Sequence, residues 1–318
     1  MNAYLGIDVG SVTTKFAALD ESGKLIASLY TRTLGRPIEV SQAGIRQIGQ
    51  ELGDKWKIHG VATTGSARRL IGVVAGADVV KNEITAHAVG ALHYVPDVQT
   101  VVEIGGQDSK VIILRDGIAV DFAMNTVCAA GTGSFLDQQA YRLNIPIEEF
   151  GPLATQSRAP VRIAGRCTVF AESDMIHKQQ MGHPIEDILY GLCAALARNY
   201  LNNLCLGKEI LGPVVFQGGV AANVGMIRAL QEALDMPIIV PAHHGVMGAI
   251  GAALLAQEHM QANGRVPTRF RGWEVSEVAY KTSSFECRGC ANQCEVVQIK
   301  VGGEVLARWG GRCGKWEM

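Results

Sequence analysis

The chain has 318 residues, 48% hydrophobic and 19% charged, with a formal net charge of −1. That length supports two core-bearing domains and a small appendage, and the near-zero charge excludes a polyanion such as nucleic acid as an expected partner. Thirty-seven glycines against 6% aromatics suit an α/β protein rich in tight turns.

The N-terminus, MNAYLGIDVGS, has no basic stretch and turns polar at Asp8, so no targeting segment is expected. The longest apolar stretch, GVMGAIGAALLA at 245–256, is too short and too glycine-rich to span a bilayer. The expected location is therefore cytoplasmic, with no membrane partner. In that compartment eight cysteines point to metal or redox chemistry rather than to structural disulfides.

In chain order, YLGIDVG reads as a buried strand entering a turn, KFAALD as a second strand, and ESGK as a hairpin turn into LIASLY. VVEIGGQDSKVIILRDGIAV repeats the plan as strand, Gly turn, strand, Asp-Gly turn, strand. This predicts an internal duplication with halves starting near residues 3 and 99, forming two α/β lobes facing each other across a cleft. Helical patterns cover 39–52, 82–92, 134–143, 171–181, 185–206, 224–234 and 246–260. The expected domains are 1–96 as lobe I, completed by a helix at 245–262, then 97–244 as lobe II, and 264–318 as a cysteine-rich extension. RVPTRFRGWEVSEV at its start reads as a linker or edge structure.

GIDVGSVTTK places Asp8 at a strand end, followed by Gly10, Ser11, Val12, Thr13, Thr14 and Lys15. The glycine turn admits backbone N–H groups to an anion, the hydroxyls and Lys15 add donors, and Asp8 can orient Mg²⁺ through water. An ordinary polar hairpin accounts for this segment equally well. Two more Gly turns at strand ends weigh against that bland reading. VEIGGQDSK carries Glu103, Gly105, Gly106, Gln107 and Asp108, and VVFQGGVAANVGM carries Gly218, Gly219 and Asn223. The GxxxxGK[ST] pattern is absent, which excludes a P-loop.

The order of these motifs resembles the actin/Hsp70/sugar-kinase superfamily, whose fold is ribonuclease H-like, duplicated and two-lobed. That resemblance covers about residues 3–260 and places Asp8 and Glu103 at the acidic Mg²⁺ and water positions. It implies that Gly10 to Lys15 and Gly105 to Asp108 hold the phosphates of ATP or ADP, with Gln107 and Asp108 beside the reacting phosphate. Gly218, Gly219 and Asn223 then line the adenosine pocket.

Cys128 in NTVCAAGTGSF and Cys167 in GRCTVFAESDM each precede a helical pattern, where the partial positive charge of a helix start favours a thiolate. Ser134 with Asp137 reads as a capping pair. Two thiols do not complete a four-thiolate cluster, whereas two chains related by a two-fold axis supply four. The residues alone favour two packed cysteines. Glu172 and Asp174 read as acids favouring a helix start, Cys193 and Cys205 as core, and His243 and His244 as loop residues.

Both cysteine segments resemble those of the BadF/BadG/BcrA/BcrD-type ATPases, the activases of 2-hydroxyacyl-CoA dehydratases. The resemblance implies a homodimer with one [4Fe–4S] cluster held between subunits by Cys128 and Cys167. It further implies ATP-driven transfer of a low-potential electron to an iron–sulfur acceptor enzyme. The acceptor would be a dehydratase, a benzoyl-CoA-reductase-like enzyme or a double-cubane-cluster protein, with ferredoxin or flavodoxin as donor. A small-molecule kinase on the same fold, with Asp108 as base, is the alternative.

In the extension, Cys287, Cys290, Cys294 and Cys313 form C-x2-C-x3-C plus a distant cysteine, a thiolate set suited to Zn²⁺ or a second [4Fe–4S] cluster. A hairpin around Gly302-Gly303 is expected to return Cys313 to the other three.

Overall fold

The computed structural model describes residues 1–317 except 126, 127 and 265. Thr126 and Val127 of the first cysteine segment and Arg265 of the expected linker therefore lie outside the described residues. The chain forms two compact units, Met1–Glu83 with Gly248–Met318, and Ile84–Met247. The two units divide at Glu83/Ile84 and Met247/Gly248, and residues 264–318 fall in the first.

The first unit is built on the strands β1 (Asn2–Val9), β2 (Thr13–Asp20), β3 (Leu25–Arg32), β4 (Lys57–Thr64) and β5 (Val79–Val80), in the order β3-β2-β1-β4-β5. β1 is antiparallel to β2 and parallel to β4, and seven of its eight residues are buried. A strand covered on both faces reads as a continuous apolar run rather than an alternating one. Helix α1 (Pro37–Leu52) follows β3, and α2 (Arg68–Ala75) follows β4. Gly6 admits a further helix against β1. A Cβ there would lie 1.9 Å from the Ala249 carbonyl oxygen and 2.5 Å from the Ala253 nitrogen.

The second unit begins with α3 (Glu83–Tyr94, its first residue apart) and repeats the meander as β6 (Thr100–Ile104), β7 (Ser109–Arg115) and β8 (Ile118–Asn125). The β7–β8 turn has positive φ at both Asp116 and Gly117, as a two-residue Asp-Gly hairpin requires. Then come α4 (Gly133–Arg142), α5 (Ile147–Ala154), α6 (Thr168–Gln180), α7 (Ile185–Tyr200), β9 (Val214–Gln217), α8 (Val224–Leu234) and β10 (Ile238–Ile239). The sheet order is β10-β9-β6-β7-β8, with β9 parallel to β6. Both sheets therefore share one plan, a meander extended by parallel strands from its first member.

Helix α9 (Met247–Ala262) returns to the first unit, apart from its first residue. The extension then forms β11 (Tyr280–Glu286), β12 (Glu295–Val301) and β13 (Glu304–Trp309), an antiparallel sheet. Its leading segment is docked rather than loose. The Asp78 carboxylate accepts from Val61 N (2.9 Å), Thr268 Oγ1 (2.6 Å) and Arg269 N (2.7 Å). Gln42 Nε2 donates to the Val275 and Val278 carbonyls, and Val275, Ile299 and Ala307 are buried in the core of the first unit.

Two helices escape the sequence patterns. α2 is only eight residues long, and α5 contains Pro152, which reads as a breaker. The predicted 185–206 helix ends as α at Tyr200 and continues as one π-helical turn, Leu201–Cys205.

Candidate functional site

In the first unit Asp8 ends β1 with 3% of its surface exposed. Lys15, its antiparallel neighbour, donates to Asp8 Oδ2 at 3.1 Å. The intervening turn is closed by Gly10 N to Thr13 O at 2.9 Å, leaving Ser11 exposed and Val12 half-buried at its apex. Thr14 is buried, and its hydroxyl is shared with Thr33 at 2.9 Å, so it acts as a brace. A second turn, Gly65–Arg68, meets the first. Ala67 N donates to Val9 O at 3.0 Å, and Ser66 Oγ donates to the same oxygen at 3.3 Å. Gly65 has φ +89, and a Cβ there would lie 2.6 Å from Asp8 Oδ1. Thr64, in register with Asp8, has a buried hydroxyl with no hydrogen-bond partner. Buried polar groups normally find one. A hydrated Mg²⁺ beside Asp8 fits this donor set, because hard oxygen ligands and water are what Mg²⁺ takes.

In the second unit Glu103 occupies the equivalent end of β6, 3% exposed, with Lys110 Nζ donating at 3.0 Å. Lys110 also pairs with Asp108 Oδ2 at 2.9 Å. The repeat is chemical as well as topological: each half sets a strand-end carboxylate against a lysine seven residues on. Gly105 N donates to Asp108 O at 2.9 Å, holding Gly106 and the exposed Gln107 at the turn. Gly218, with φ +94, passes so close that a Cβ would lie 2.8 Å from Glu103 Oε1. His244 braces that glycine, its carbonyl accepting from Gly218 N at 2.9 Å and its ring Nδ1 lying 3.0 Å from Gly218 O. Gln217, in register with Glu103, has a buried Oε1 without a partner and an Nε2 placed 2.8 Å from His87 Nδ1. Gly219 starts a short 3-10 turn. Asn223 caps α8, its Oδ1 accepting from Met226 N at 3.1 Å, so that oxygen is committed to the helix.

The phosphate-type turn and the first cysteine segment are joined by hydrogen bonds. Gly133 N and Ser134 N donate to the Gly105 and Gly106 carbonyls at 2.8 and 2.9 Å, and Ser134 Oγ donates to Gly106 O at 2.5 Å. Ser134 thus anchors the turn instead of capping α4, whose cap position is Thr132. Upstream, Asn125 clamps the Cys128 backbone. Its Oδ1 accepts from Cys128 N at 2.9 Å and its Nδ2 donates to Cys128 O at 2.8 Å.

Cys167 holds the cap position of α6, and Cys128 precedes a 3-10 turn leading to α4. Both are partly exposed, and Cys128 Sγ lies 3.8 Å from the carbonyl oxygen of Arg166. The fold has therefore gathered two cysteines 39 positions apart onto one surface. Asn199 of α7 ties the segments together. Its Nδ2 donates to Gly165 O, and a Cβ at Gly131 would lie 2.7 Å from its Oδ1. Glu172 pairs with Arg142 at 2.8 Å, linking α6 to α4, and Asp174 accepts from Ala164 N at 2.8 Å. Both acids serve structure. Cys193 is fully buried and its thiol is pushed well above the ordinary range by desolvation. Cys205, partly buried, is pushed up to about 12 by the same cause.

The extension cysteines cluster at one end of their sheet. Cys287 N donates to Cys294 O at 2.8 Å. Cys287 Sγ accepts from the Trp316 indole N–H at 3.2 Å, three residues beyond Cys313. That hydrogen bond, the Gly289 backbone N–H and the nearby Lys315 ammonium draw the Cys287 thiol below its ordinary range. Cys290 and Cys313 are exposed and Cys294 is partly so. Among the described residues no three His, Cys, Asp or Glu side chains are arranged to hold a metal ion. Two thiols per chain at Cys128 and Cys167 fit a four-thiolate cluster only when a second copy adds two more.

A meander-and-crossover sheet repeated in two units, each with a strand-end carboxylate beside a Gly turn, defines an actin- and sugar-kinase-like fold. A ROK family glucokinase from Streptomyces griseus shares the fold alone, at 12% identity and TM-score 0.51 over 80% of this chain and 99% of that one. The chain belongs to the BadF/BadG/BcrA/BcrD ATPase family, which it matches over residues 5–256. It is 36% identical over 261 residues to the (R)-2-hydroxyglutaryl-CoA dehydratase activating ATPase of Acidaminococcus fermentans, covering 80% of this chain and 98% of that protein. The solved structure of the activator of the 2-hydroxyisocaproyl-CoA dehydratase from Clostridium difficile, with bound ADPNP, superposes with TM-score 0.76 and 32% identity. That match covers 83% of this chain and 98% of the other. Residues 264–318 lie outside the family match. No helix among the described residues is long and apolar enough to cross a membrane.

Proposed function

We propose that this chain is an ATP-dependent reductive activase that works as a cytoplasmic homodimer. Two subunits hold one [4Fe–4S] cluster through Cys128 and Cys167, and ATP turnover drives single electrons onto an iron–sulfur acceptor such as a 2-hydroxyacyl-CoA dehydratase. Ferredoxin or flavodoxin would supply the electrons. The observation that carries this reading is the meeting of the two cysteine segments on one surface, with Cys128 Sγ 3.8 Å from Arg166 O. A sugar-type kinase has no use for such a pair.

The residues divide the work. Asp8 and Glu103 act on the Mg²⁺–nucleotide, each charge-balanced by its lysine. Backbone N–H groups of the Gly10–Lys15 and Gly105–Asp108 turns bind phosphate oxygens. When bound, a [4Fe–4S] centre supplies one-electron chemistry at a potential tuned by charge, hydrogen bonding and exposure. The Gly105 and Gly106 carbonyls hold the start of α4, so a shift of that turn on nucleotide exchange moves the Cys128 segment with it. Asn125 and Asn199 keep the two thiol-bearing segments in register.

Anaerobic purification tests this. The expected protein is a brown dimer with four iron and four sulfide at its interface, on the order of one cubane per two chains. It reduces an acceptor only with ATP, and Cys128→Ser loses that iron while retaining nucleotide binding. A colourless monomer that phosphorylates a sugar would falsify the proposal. Cys287, Cys290, Cys294 and Cys313 are proposed as a separate thiolate site for Zn²⁺ or a second cluster. Metal content of the Cys128→Ser/Cys167→Ser chain, with and without Cys290→Ser, reads it directly.

A further inference from the structure

Each unit sets a row of three polar side chains across its central strands, level with the strand-end acid. In the second unit the row is Lys110 of β7, Glu103 of β6 and Gln217 of β9. In the first it is Lys15 of β2, Asp8 of β1 and Thr64 of β4. Register partners on neighbouring strands project to one face of a sheet. A cation therefore lies on one side of each acid and a neutral hydrogen-bonding group on the other. The cation is accounted for by its ion pair, at 3.1 Å in the first unit and 3.0 Å in the second. The neutral member is not. The Thr64 hydroxyl and Gln217 Oε1 are both buried and have no hydrogen-bond partner among the described residues. Burying a polar atom unpaired is costly, and this fold does so beside the matching acid in both halves.

Gln217 is the more constrained of the two. It is the last residue of β9 and is fully buried. Its Nε2 lies 2.8 Å from Nδ1 of His87 on α3 and 3.5 Å from the His87 carbonyl oxygen. A carbonyl oxygen only accepts, so the amide nitrogen is the atom turned to α3, and Oε1 is turned away from it. Around Glu103 the backbone is bare. A Cβ at Gly218 would lie 2.8 Å from Glu103 Oε1, and one at Gly105 3.4 Å from it. Two glycine turns thus reserve room at that carboxylate oxygen which side chains would fill.

We propose that Gln217 is a positioning residue for ATP hydrolysis, holding the attacking water together with Glu103. This rests on the reading of Glu103 as an acid of the nucleotide site. Two acceptors, Glu103 Oε1 and Gln217 Oε1, take the two protons of one water and leave its lone pair free for the γ-phosphorus. An amide tied down through its nitrogen offers only its oxygen, which is what such a water needs, and glutamine orients the attacking water in other nucleotide hydrolases. In the step, the water oxygen bonds to the γ-phosphorus as the bond to the β–γ bridging oxygen breaks, and that electron pair leaves with ADP. One water proton stays on the inorganic phosphate, and the other is taken by Glu103 and released to solvent. Thr64 is the counterpart in the first unit. A hydroxyl both donates and accepts, which suits it to the water shell of Mg²⁺ beside Asp8.

The test compares a ground-state with a transition-state mimic on the full chain. ADPNP with Mg²⁺ reports nucleotide binding alone. ADP with aluminium fluoride and Mg²⁺ mimics the phosphoryl group in transfer with a water in line. Gln217→Met keeps the length of the side chain and removes the acceptor. It is expected to lower kcat for ATP hydrolysis about tenfold or more and to weaken ADP–aluminium fluoride by the same factor, with KM and ADPNP affinity within about twofold of the parent. Gln217→Asn keeps the amide but withdraws it by one methylene. It gives a milder loss of about three- to tenfold in both readouts and serves if Gln217→Met does not fold. ATP hydrolysis at the parent rate in both variants would overturn the assignment. So would a loss of ADPNP affinity as large as the loss of kcat, which would reduce Gln217 to packing. A parent chain that binds no ADPNP would instead sink the nucleotide reading from which the inference starts.

Discussion

Lys110→Met tests the electrostatic plan of the second unit. Lys110 is 2% exposed and bridges Glu103 at 3.0 Å and Asp108 at 2.9 Å. At such separations each attraction is on the order of 5 kcal/mol for an effective dielectric of about 20, offset by desolvation of both charges. Removing one partner of a buried pair costs about 3–5 kcal/mol, because the other charge stays buried without its counter-ion. Methionine keeps most of the side-chain volume, so packing contributes little to the loss. With a urea slope of roughly 2–3 kcal/mol/M, the unfolding midpoint of this unit should fall by about 1–2 M. Adding Glu103→Gln to Lys110→Met should recover most of that loss, since the stranded carboxylate is gone. Urea melts of the single and double variants, followed by far-UV circular dichroism, read both effects. A loss under about 1 kcal/mol for Lys110→Met, or no recovery in the double variant, would show that the lysine does not neutralise Glu103 in the fold.

Asp78→Ala removes the acceptor for Val61 N, Thr268 Oγ1 and Arg269 N. It should cost about 2–4 kcal/mol and expose the 266–279 segment to limited proteolysis, with nucleotide binding retained. Gly131→Ala places a Cβ 2.7 Å from Asn199 Oδ1 and 2.8 Å from Asn125 Nδ2. Iron retention at Cys128 and Cys167 should drop while the nucleotide affinity stays, measured by iron content beside ADPNP titration. Asp187 accepts from Ser157 Oγ at 2.7 Å, Ala159 N at 2.9 Å and Arg158 N at 3.0 Å, and these bonds hold its carboxyl below the ordinary range. A folded pKa below the unfolded one means this stabilisation is complete above the unfolded value, about 3.9, and disappears as pH falls through the folded one. Asp187→Asn should therefore be less stable than the parent at pH 7, and the gap in melting temperature should narrow below about pH 4.

Much of the fold was legible because local rules agreed with each other. The run GIDVG reads as a buried strand entering a turn, and its near-copy at EIGGQD points to a second sheet of the same plan. Asp8 stands out as an acid at the end of an apolar strand ahead of glycine, and the family resemblance sets Glu103 beside it as the matching candidate in the second half. The lysines that neutralise them, Lys15 and Lys110, lie on adjacent antiparallel strands. Only Lys15 was read, and as a phosphate donor, because its pairing with Asp8 follows from hairpin register rather than from spacing along the chain.

What tertiary structure alone decided is who meets whom across long separations. Cys128 and Cys167 are marked by their types, but their shared surface depends on Asn199 in a helix more than thirty residues further on. The Gly65–Arg68 turn carries the same glycine-and-hydroxyl signature as the first, yet gains meaning only once β4 lies beside β1 and brings it to Asp8. The segment after residue 265 reads as a linker because its side chains are mixed and its pattern irregular. Asp78, nearly two hundred positions earlier, turns it into a docked wall. Sequence determines periodicity and local turn chemistry through forces that act within a few residues. Buried hydrogen bonds and charge pairs between distant segments exist only after the chain has closed, so they are properties of the folded molecule.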